Sequence, residues 1–153
     1  MYLLKLLSED AICTDLQAKN RDDAIKELLT KLAEAGKIKK RLVAPAQRAI
    51  IQREALGSTA IGKGVAVPHA RAPEVDRVGM AIGLSSEGLD FRALDGEAVH
   101  AIFLVVGPEE AADEYIAVLS RISRLVQNDD FRRFLLRART GREVLELIQE
   151  MDA

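Results

Sequence analysis

Two nearly unbroken apolar runs in the second half of the chain constrain its fold more than any other feature. Residues 78–84 and 99–106 consist almost wholly of small and apolar side chains, without regular polar alternation. Strands with one solvated face alternate, whereas strands covered on both faces form continuous apolar runs. We therefore predict two interior strands of a sheet that carries helices on both faces, with a turn-rich connection over residues 85–97.

The segments before these runs indicate a short strand and two amphipathic helices. The strand is predicted over residues 11–16. Residues 21–35 carry apolar side chains at helical spacing, between Asn20 as a predicted N-cap and Gly36 as a terminator. A second helix is predicted from about residue 41 to residue 54, because apolar side chains again recur at helical spacing.

Three more helices are predicted towards the C-terminus. Pro108 opens the first, Asn128 caps the second, and Thr140 with Glu143 forms a capping box for the third. Helical spacing predicts buried side chains at Tyr115, Ile116, Leu119, Ile122, Val126, Phe131, Phe134, Leu135, Val144, Leu147 and Ile148.

Chain length and element order together predict the architecture. At 153 residues the chain is long enough for one domain and hardly for two. Strands alternate with helices before the chain ends in helices alone. We predict a single α/β domain over residues 1–153, folded as a three-layer α/β/α sandwich with a central mixed sheet.

The composition of the chain argues against several classes of function. The net charge of −2 gives no electrostatic case for binding nucleic acid or an anionic membrane. No run approaches the roughly 20 apolar residues of a membrane span, so we expect no stable membrane insertion. The only cysteine, Cys13, fits a reducing compartment, and cytoplasmic location is the default expectation. Two histidines and one cysteine form no metal-ligand spacing, so we expect neither metal nor cofactor.

Residues 53–71 bring together the groups expected of an anion site beside a nucleophile. Glycine lets backbone N–H groups point at an anion, hydroxyls add neutral donors, and arginine offers a planar fork that matches phosphate. The segment contains Arg53, Gly57, Ser58, Thr59, Gly62, Lys63, Gly64, His69 and Arg71.

His69 is the candidate nucleophile of this segment. Residues 65–67 predict a short buried strand, and Pro68 fixes the backbone directly before the histidine. A neutral imidazole attacks phosphorus without first losing a proton. A lone histidine is more often structural, but the surrounding donors favour the functional interpretation. His100, in the second apolar run, favours a structural role, although a strand beside residues 65–67 could bring it near His69.

A nucleotide-binding site is the alternative for the same segment. Residues 57–63, from Gly57 to Lys63, spell G-x-x-x-x-G-K, the beginning of a P-loop. The next residue is Gly64, so the hydroxyl that would hold magnesium is missing. A P-loop also opens a helix, whereas this segment runs into the predicted strand. We expect no ATP or GTP site here.

The pattern R-E-x-x-G-S-T-x-I-G-x-G-V-A-V-P-H over residues 53–69 resembles a known active-site signature. It is similar to that of the enzyme IIA domains of the bacterial phosphotransferase system, in the fructose, mannitol and nitrogen-regulatory (type 2) branch. The resemblance implies the same three-layer fold and transient phosphorylation of His69 at Nε2. It also implies a histidine-containing phosphocarrier protein as donor, and a IIB component or regulatory protein targets as partners.

The resemblance also implies which other residues bind the phosphoryl group, and it shows where this chain differs from the family. We expect Arg53, Ser58, Thr59 and the backbone at Gly62 and Gly64 to hold the phosphoryl oxygens. Many members of the family carry a second histidine where this chain has Tyr115, which either keeps a hydroxyl donor in the pocket or packs. The candidates for a partly apolar partner-docking face are Leu56, Ile61 and Val65, each of which could equally belong to the core.

Overall fold

A mixed sheet forms the centre of the computed structural model, which describes residues 3–110 and 112–152. Within these residues the sheet has six strands in the order β1-β5-β6-β3-β2, and β4 also pairs with β6. The antiparallel pair β5–β6 is central, while β1 runs parallel to β5 and both β3 and β4 run parallel to β6. The strands are β1 Ile12–Cys13, β2 Ala60–Gly62, β3 Val65–Ala66, β4 His69–Arg71, β5 Gly79–Leu89 and β6 Val99–Gly107.

Strands β3 and β4 form one interrupted track along β6. Val65 is in register with Ala101, and four positions further on His69 is in register with Val105. The interruption falls at Pro68, which has no N–H to give to the ladder. Its carbonyl still accepts from the N–H of Val105 at 3.0 Å, so the segment between β3 and β4 stays hydrogen-bonded to β6. His69 is therefore held at a defined register of the central strand.

Five α-helices cover the two faces of the sheet within the described part of the chain. They are α1 Arg21–Glu34, α2 Val43–Ala55, α3 Ala112–Val126, α4 Asp129–Leu135 and α5 Gly141–Met151. The helices α1 and α2 pack on one face, and α3, α4 and α5 pack on the other. The three-layer α/β/α architecture around a mixed sheet is thus confirmed.

The side chains of β6 alternate between the two cores. Phe103 and Val105 join the cluster under α3, α4 and α5, while Ile102 and Leu104 join the cluster under α1 and α2. All four are fully buried. Such a strand needs apolar residues on both faces, which explains the nearly unbroken apolar run at residues 99–106.

Side-chain caps begin three of the helices as predicted. The Asn20 side chain accepts from the N–H of Asp23, Asn128 accepts from Phe131, and Thr140 accepts from Glu143. Each cap satisfies a backbone donor that has no partner inside its helix.

Three predicted boundaries were wrong. Strand β5 continues through Ser85 to Leu89, past a register irregularity, so the connection to β6 is shorter than predicted. Helix α3 begins at Ala112 rather than Pro108, which leaves Glu109 outside the helix. The predicted strand over residues 11–16 is reduced to β1.

Two predicted core residues lie at the surface. Ile116 is 62% exposed and Phe134 is 46% exposed, whereas Val118 and Leu125 complete the buried face of α3. Helical spacing alone did not separate the buried stripe from its flank, because α3 carries apolar residues over a wide arc.

Candidate functional site

His69 is the first residue of β4 and faces an open pocket. Its side chain lies on the same face of the sheet as that of Val105, its register partner, and so points towards α3. The pocket has a volume of about 600 Å³. Its lining comes from α2, from β4, from the segment after β6 and from α3, namely Arg53, His69, Ala70, Arg71, Glu109 and Tyr115.

A hydrogen bond to the backbone fixes the tautomer of His69. The Nδ1 atom lies 2.6 Å from the carbonyl oxygen of Val67. A carbonyl can only accept, so Nδ1 carries the proton and Nε2 carries the lone pair. The Val67 carbonyl lies at the break between β3 and β4, directly before Pro68. The interrupted strand therefore leaves Nε2 unprotonated, the nitrogen that only the resemblance had singled out.

The surroundings keep the imidazole of His69 neutral. Burial lowers the pKa of His69 below its usual value; the hydrogen bond to Val67 raises it, the positive charge of Arg53 lowers it, and the negative charge of Glu54 raises it. The net direction is downward. An unprotonated imidazole at neutral pH is the form that can attack an electrophile.

Arg53 reaches the pocket from the last turn of α2. Its Nη1 donates to the carbonyl oxygen of Gly57 at 2.9 Å. The neighbouring Glu54 is buried and accepts from both the N–H of Thr59, at 3.3 Å, and the Thr59 hydroxyl. Residues 57–59 are thus tied to the end of the helix, and the remaining donors of the Arg53 guanidinium stay available beside His69.

The hydroxyl protons of Ser58 and Thr59 are both used inside the protein. Ser58 donates to the carbonyl oxygen of Phe91 at 2.7 Å, and its oxygen accepts from the N–H of Ala60 at 3.0 Å. Thr59 is buried and donates to Glu54. Neither residue lines the pocket around His69. Their role as phosphoryl-binding groups stays a prediction.

Gly62 and Gly64 shape the tight connection between β2 and β3. Both have positive φ, 90° and 79°, and Lys63 between them has a φ of 58°. The N–H of Lys63 donates to the carboxylate of Asp95 at 3.0 Å. Hydrogen bonds from the N–H groups of Glu97 and Lys63 lower the pKa of Asp95. A carboxylate of the chain itself therefore takes the amide that was predicted to face an anion, and the proposed phosphoryl contact at the two glycines stays a prediction.

The same geometry does not favour a nucleotide site. Residues 57–63 lead through β2 into a hairpin with β3, not into a helix. A P-loop cradles phosphate at a helix N-terminus, which this segment does not provide.

His100 does not lie near His69. It is adjacent to Ala101, which pairs with Val65, whereas His69 pairs with Val105. The two positions are separated by roughly 16 Å along the strand at about 3.3 Å per residue. The Nδ1 atom of His100 contacts the carbonyl oxygen of Ser85 at 2.9 Å. The suggestion that the sheet could bring the two histidines together was wrong.

The Tyr115 side chain projects from α3 towards the sheet, beside both His69 and Arg71. Its ring centroid is 6.1 Å from that of His69, and the Arg71 Cζ atom lies 5.9 Å from the Tyr115 ring centroid. Burial raises the pKa of Tyr115 to about 12, so the phenol is neutral. A Cβ at Gly107 would lie only 2.8 Å from the Tyr115 ring, so this ring position requires glycine.

Arg71 and Glu109 line the pocket, although neither was among the residues predicted to hold the phosphoryl oxygens. Arg71 follows His69 by two positions on β4, and the period of a strand places both side chains on one face. That signal was present in the sequence. Glu109 directly follows Pro108, where the sequence predicted the first turn of a helix, and its place on the pocket rim depends on where α3 begins.

Two of the three candidate docking residues are exposed. Leu56 is 86% exposed, and Ile61 is also exposed. Val65 is 2% exposed and belongs to the core, which was the alternative to a place on the docking face.

The described residues hold no group of histidine, cysteine, aspartate or glutamate side chains that could bind a metal ion. Within the same residues no helix is long and apolar enough to cross a membrane. Cys13 is half-buried, its Sγ lies 3.8 Å from a Glu27 carboxylate oxygen, and burial raises its pKa. It lies outside the pocket of His69.

Comparison with known proteins defines the class to which this fold and pocket correspond. Residues 5–151 match the family model described as "Phosphoenolpyruvate-dependent sugar phosphotransferase system, EIIA 2". The chain belongs to this family of enzyme IIA domains. Members transfer phosphoryl groups, so a phosphotransferase role holds at the level of the family.

Individual relatives come from both the sugar and the nitrogen branches. The chain is 33% identical over 152 residues to the fructose-specific EIIABC component of Bacillus subtilis. The alignment covers 99% of this chain and 24% of that protein. The crystal structure of nitrogen regulatory protein IIA-Ntr from Neisseria meningitidis matches with a TM-score of 0.86 at 27% identity, over 97% of this chain and 99% of that one.

A third comparison shows the shared fold. The complex of enzyme IIA-mannitol and phosphorylated enzyme IIB-mannitol from Escherichia coli contains a chain that matches with a TM-score of 0.77 at 20% identity. The match covers 94% of this chain and 97% of that one.

Proposed function

We propose that this protein is a cytoplasmic phosphoryl carrier of the phosphoenolpyruvate-dependent phosphotransferase system, with Nε2 of His69 as the acceptor atom. The observation that carries the proposal is the 2.6 Å contact between Nδ1 of His69 and the Val67 carbonyl oxygen, at the wall of an open pocket. It leaves an unprotonated Nε2 beside the guanidinium groups of Arg53 and Arg71.

The donor in this proposal is a histidine-containing phosphocarrier protein. Nε2 of His69 attacks phosphorus in line with the donor N–P bond, and a new Nε2–P bond forms as the old one breaks. The electron pair of the broken bond stays on the donor nitrogen. The proton on Nδ1 stays on its hydrogen bond to Val67, which stabilises the positive charge that develops on the imidazole.

Arg53 supplies the main electrostatic contribution in this mechanism. The phosphoryl group carries its charge on three oxygens, and a guanidinium at the pocket wall spreads that charge and fixes its orientation. The predicted contribution of Ser58, Thr59, Gly62 and Gly64 would require their present hydrogen bonds to rearrange, because the Lys63 amide and both hydroxyl protons have partners within the protein.

The phosphoryl group then leaves by attack of an acceptor on phosphorus, and Nε2 departs as a neutral imidazole nitrogen. A IIB component is the proposed acceptor, and the structural similarity to an enzyme IIA that was solved with a phosphorylated IIB supports it. The similarity to a nitrogen regulatory protein supports a second output, in which the phosphorylation state of His69 controls binding to regulatory protein targets.

The test is reconstitution with purified components. The protein is incubated with phosphoenolpyruvate, enzyme I and the phosphocarrier protein, and its intact mass is measured before and after brief acid treatment. We expect one acid-labile phosphoryl group on the unmodified chain and on His100→Ala, and none on His69→Ala. Phosphorylation that persists in His69→Ala would refute the proposal.

A further inference from the structure

Arg71 lies at the edge of the His69 pocket and has no polar partner among the described residues. Within residues 3–110 and 112–152 it forms no hydrogen bond and no ion pair, and its contact is with the ring of Tyr115. Its side chain is exposed and lines the same pocket as His69. The donors of its guanidinium are therefore available to an anion that enters from solvent.

We propose that Arg71 is a second ligand of the phosphoryl oxygens on His69, and that Tyr115 is the positioning residue that holds its guanidinium over the pocket. The inference rests on the proposed function and adds to it a residue that provides transition-state contacts. Arg53 and Arg71 approach from different elements, the end of α2 and strand β4, so that the phosphoryl group lies between two positive charges.

The strand geometry places Arg71 correctly for this role. Side chains two residues apart on a strand project from the same face, so Arg71 lies next to His69 along β4. Both side chains contact one ring, with the His69 centroid at 6.1 Å and the Arg71 Cζ at 5.9 Å from the centroid of Tyr115. Arg71 and His69 therefore line the same pocket.

Tyr115 is suited to hold a guanidinium in place. The ring is buried and is seated against Gly107, where a Cβ would collide with it. A cation within about 6 Å of an aromatic centroid is attracted to the ring face. This restricts the rotamers of a side chain that would otherwise lose conformational entropy when it binds an anion. Because the phenol is neutral, the ring adds no negative charge to the pocket.

Glu109 is the acidic residue on the rim of the same pocket. A structural arginine at this position would be expected to pair with it. No ion pair joins them among the described residues, so Arg71 contacts the aromatic ring instead of the carboxylate. This preference leaves the planar fork free for bidentate contact with phosphoryl oxygens.

The experiment uses a donor that needs no partner protein. Phosphoramidate transfers its phosphoryl group when Nε2 attacks phosphorus: the Nε2–P bond forms, the P–N bond of the donor breaks, and ammonia leaves. The initial rate on His69 is measured by intact mass, at low and high salt, and repeated with the phosphocarrier protein as donor. The variants are Arg71→Ala, Arg71→Lys, Tyr115→Leu, Tyr115→Phe and the Arg71→Ala, Tyr115→Leu double variant, with thermal unfolding recorded for each.

The expected pattern separates the charge from the ring that positions it. Arg71→Ala should slow transfer by about 10- to 100-fold, the range for one charged hydrogen bond, and Arg71→Lys by less. Tyr115→Leu should slow transfer by about 3- to 30-fold, whereas Tyr115→Phe, which keeps the ring, should recover most of the rate. The double variant should be no slower than Arg71→Ala within about twofold, because both changes remove one contact.

Arg77→Ala is the matched control, since Arg77 is exposed in the next loop and does not line the pocket. It should change the rate by less than about twofold. If Arg77→Ala slowed transfer as much as Arg71→Ala, or if the loss in Arg71→Ala disappeared at high salt, Arg71 would act only by general charge attraction. Either result would overturn the inference. So would a normal rate in Arg71→Ala. Independent, additive effects of Arg71 and Tyr115 would overturn the positioning role.

The same data distinguish this inference from the proposed function. If the unmodified protein accepts no phosphoryl group on His69 from either donor, the proposed function fails and the inference fails with it. If the unmodified protein is phosphorylated on His69 and Arg71→Ala behaves like Arg77→Ala, only the inference fails.

Discussion

The glycine-rich stretch at residues 57–64 and the histidine strand at residues 65–71 are neighbours in sequence, yet they use their polar groups differently. In the first, Asp95 accepts from the Lys63 amide and Phe91 accepts from Ser58. In the second, Nε2 of His69 and the Arg71 guanidinium face an open pocket. Donors that a glycine- and serine-rich sequence predicts for an anion can instead bond within the fold, whereas long arginine side chains present theirs to solvent.

The largest expected effect distinguishes the two regions by activity. Arg53→Ala should slow phosphoryl transfer to His69 by about 1.5–3 kcal/mol in barrier, because a charged hydrogen bond to the phosphoryl group is lost. Ser58→Ala should change the rate by less than about threefold, since its hydroxyl bonds internally. Rapid-quench measurements of transfer from the phosphocarrier give both rates. A loss in Ser58→Ala equal to that in Arg53→Ala would break the distinction.

A smaller effect tests whether the glycine-rich stretch is stabilised from within. Glu54→Ala removes the acceptor of the Thr59 N–H and hydroxyl, which are buried. The free energy of unfolding should fall by about 1–3 kcal/mol, the cost of leaving buried donors unpaired. Urea denaturation measures the change, with Glu87→Ala, an exposed glutamate, as the control. If the two variants were equally stable, the buried carboxylate would not hold the loop.

A comparable test applies to the packing on the histidine side. Gly107→Ala places a Cβ 2.8 Å from the Tyr115 ring, which must move. Overpacking of this kind costs about 1–3 kcal/mol in stability, and the displaced ring should also slow transfer to His69. Gly96→Ala is a control, because a Cβ there meets no atom within 4 Å, although its φ of 73° carries some strain. Unchanged transfer in Gly107→Ala would show that the ring position is unimportant.

The smallest effect concerns pH. Burial lowers the pKa of His69, so transfer should be constant above about pH 6.5 and should fall as the pH decreases through the lowered pKa. Below about pH 6.5 the unfolded chain binds a proton at this position that the folded chain does not. The stability contributed by His69 is therefore lost as the pH falls through that window. His69→Gln should show a flatter dependence in urea titrations, and an unchanged slope would contradict the lowered pKa.

The Tyr115→His variant sharpens the measurement of transfer rate against pH. Because the pKa of Tyr115 is about 12, the unmodified site should show one ionisation between pH 5 and 8. A second imidazole beside His69 should add another. A rate profile with two ionisations in the unmodified protein would mean that a further titrating group contacts the phosphoryl group.

Local patterns were sufficient where the structure depends on local chemistry. Asn20, Asn128 and Thr140 cap their helices because a short polar side chain can reach an amide three residues ahead. The run at residues 99–106 predicted a strand covered on both sides, and Arg53 and His69 were correctly predicted to lie together.

Local sequence patterns could not predict contacts between residues that are far apart in the chain. Asp95 bonds to Lys63 across 32 positions, so nothing near Gly62 or Gly64 indicated that the amide between them was already paired. The place of Glu109 on the pocket rim depends on the start of α3, and Pro108 favoured a helix start four residues too early. Arg71 was predicted only as one cation of the segment at residues 53–71, although the period of a strand places its side chain on the same face as that of His69.

The most direct measurement follows the nitrogen atoms of His69. In protein labelled with ¹⁵N-histidine, long-range ¹H–¹⁵N spectra identify which ring nitrogen carries the proton, and coupling to ³¹P identifies which one becomes phosphorylated. We predict a protonated Nδ1 on His69 in the resting protein and phosphorus on its Nε2 after incubation with the phosphocarrier system. A resting proton on Nε2, or phosphorus on Nδ1 or on His100, would contradict the central claim.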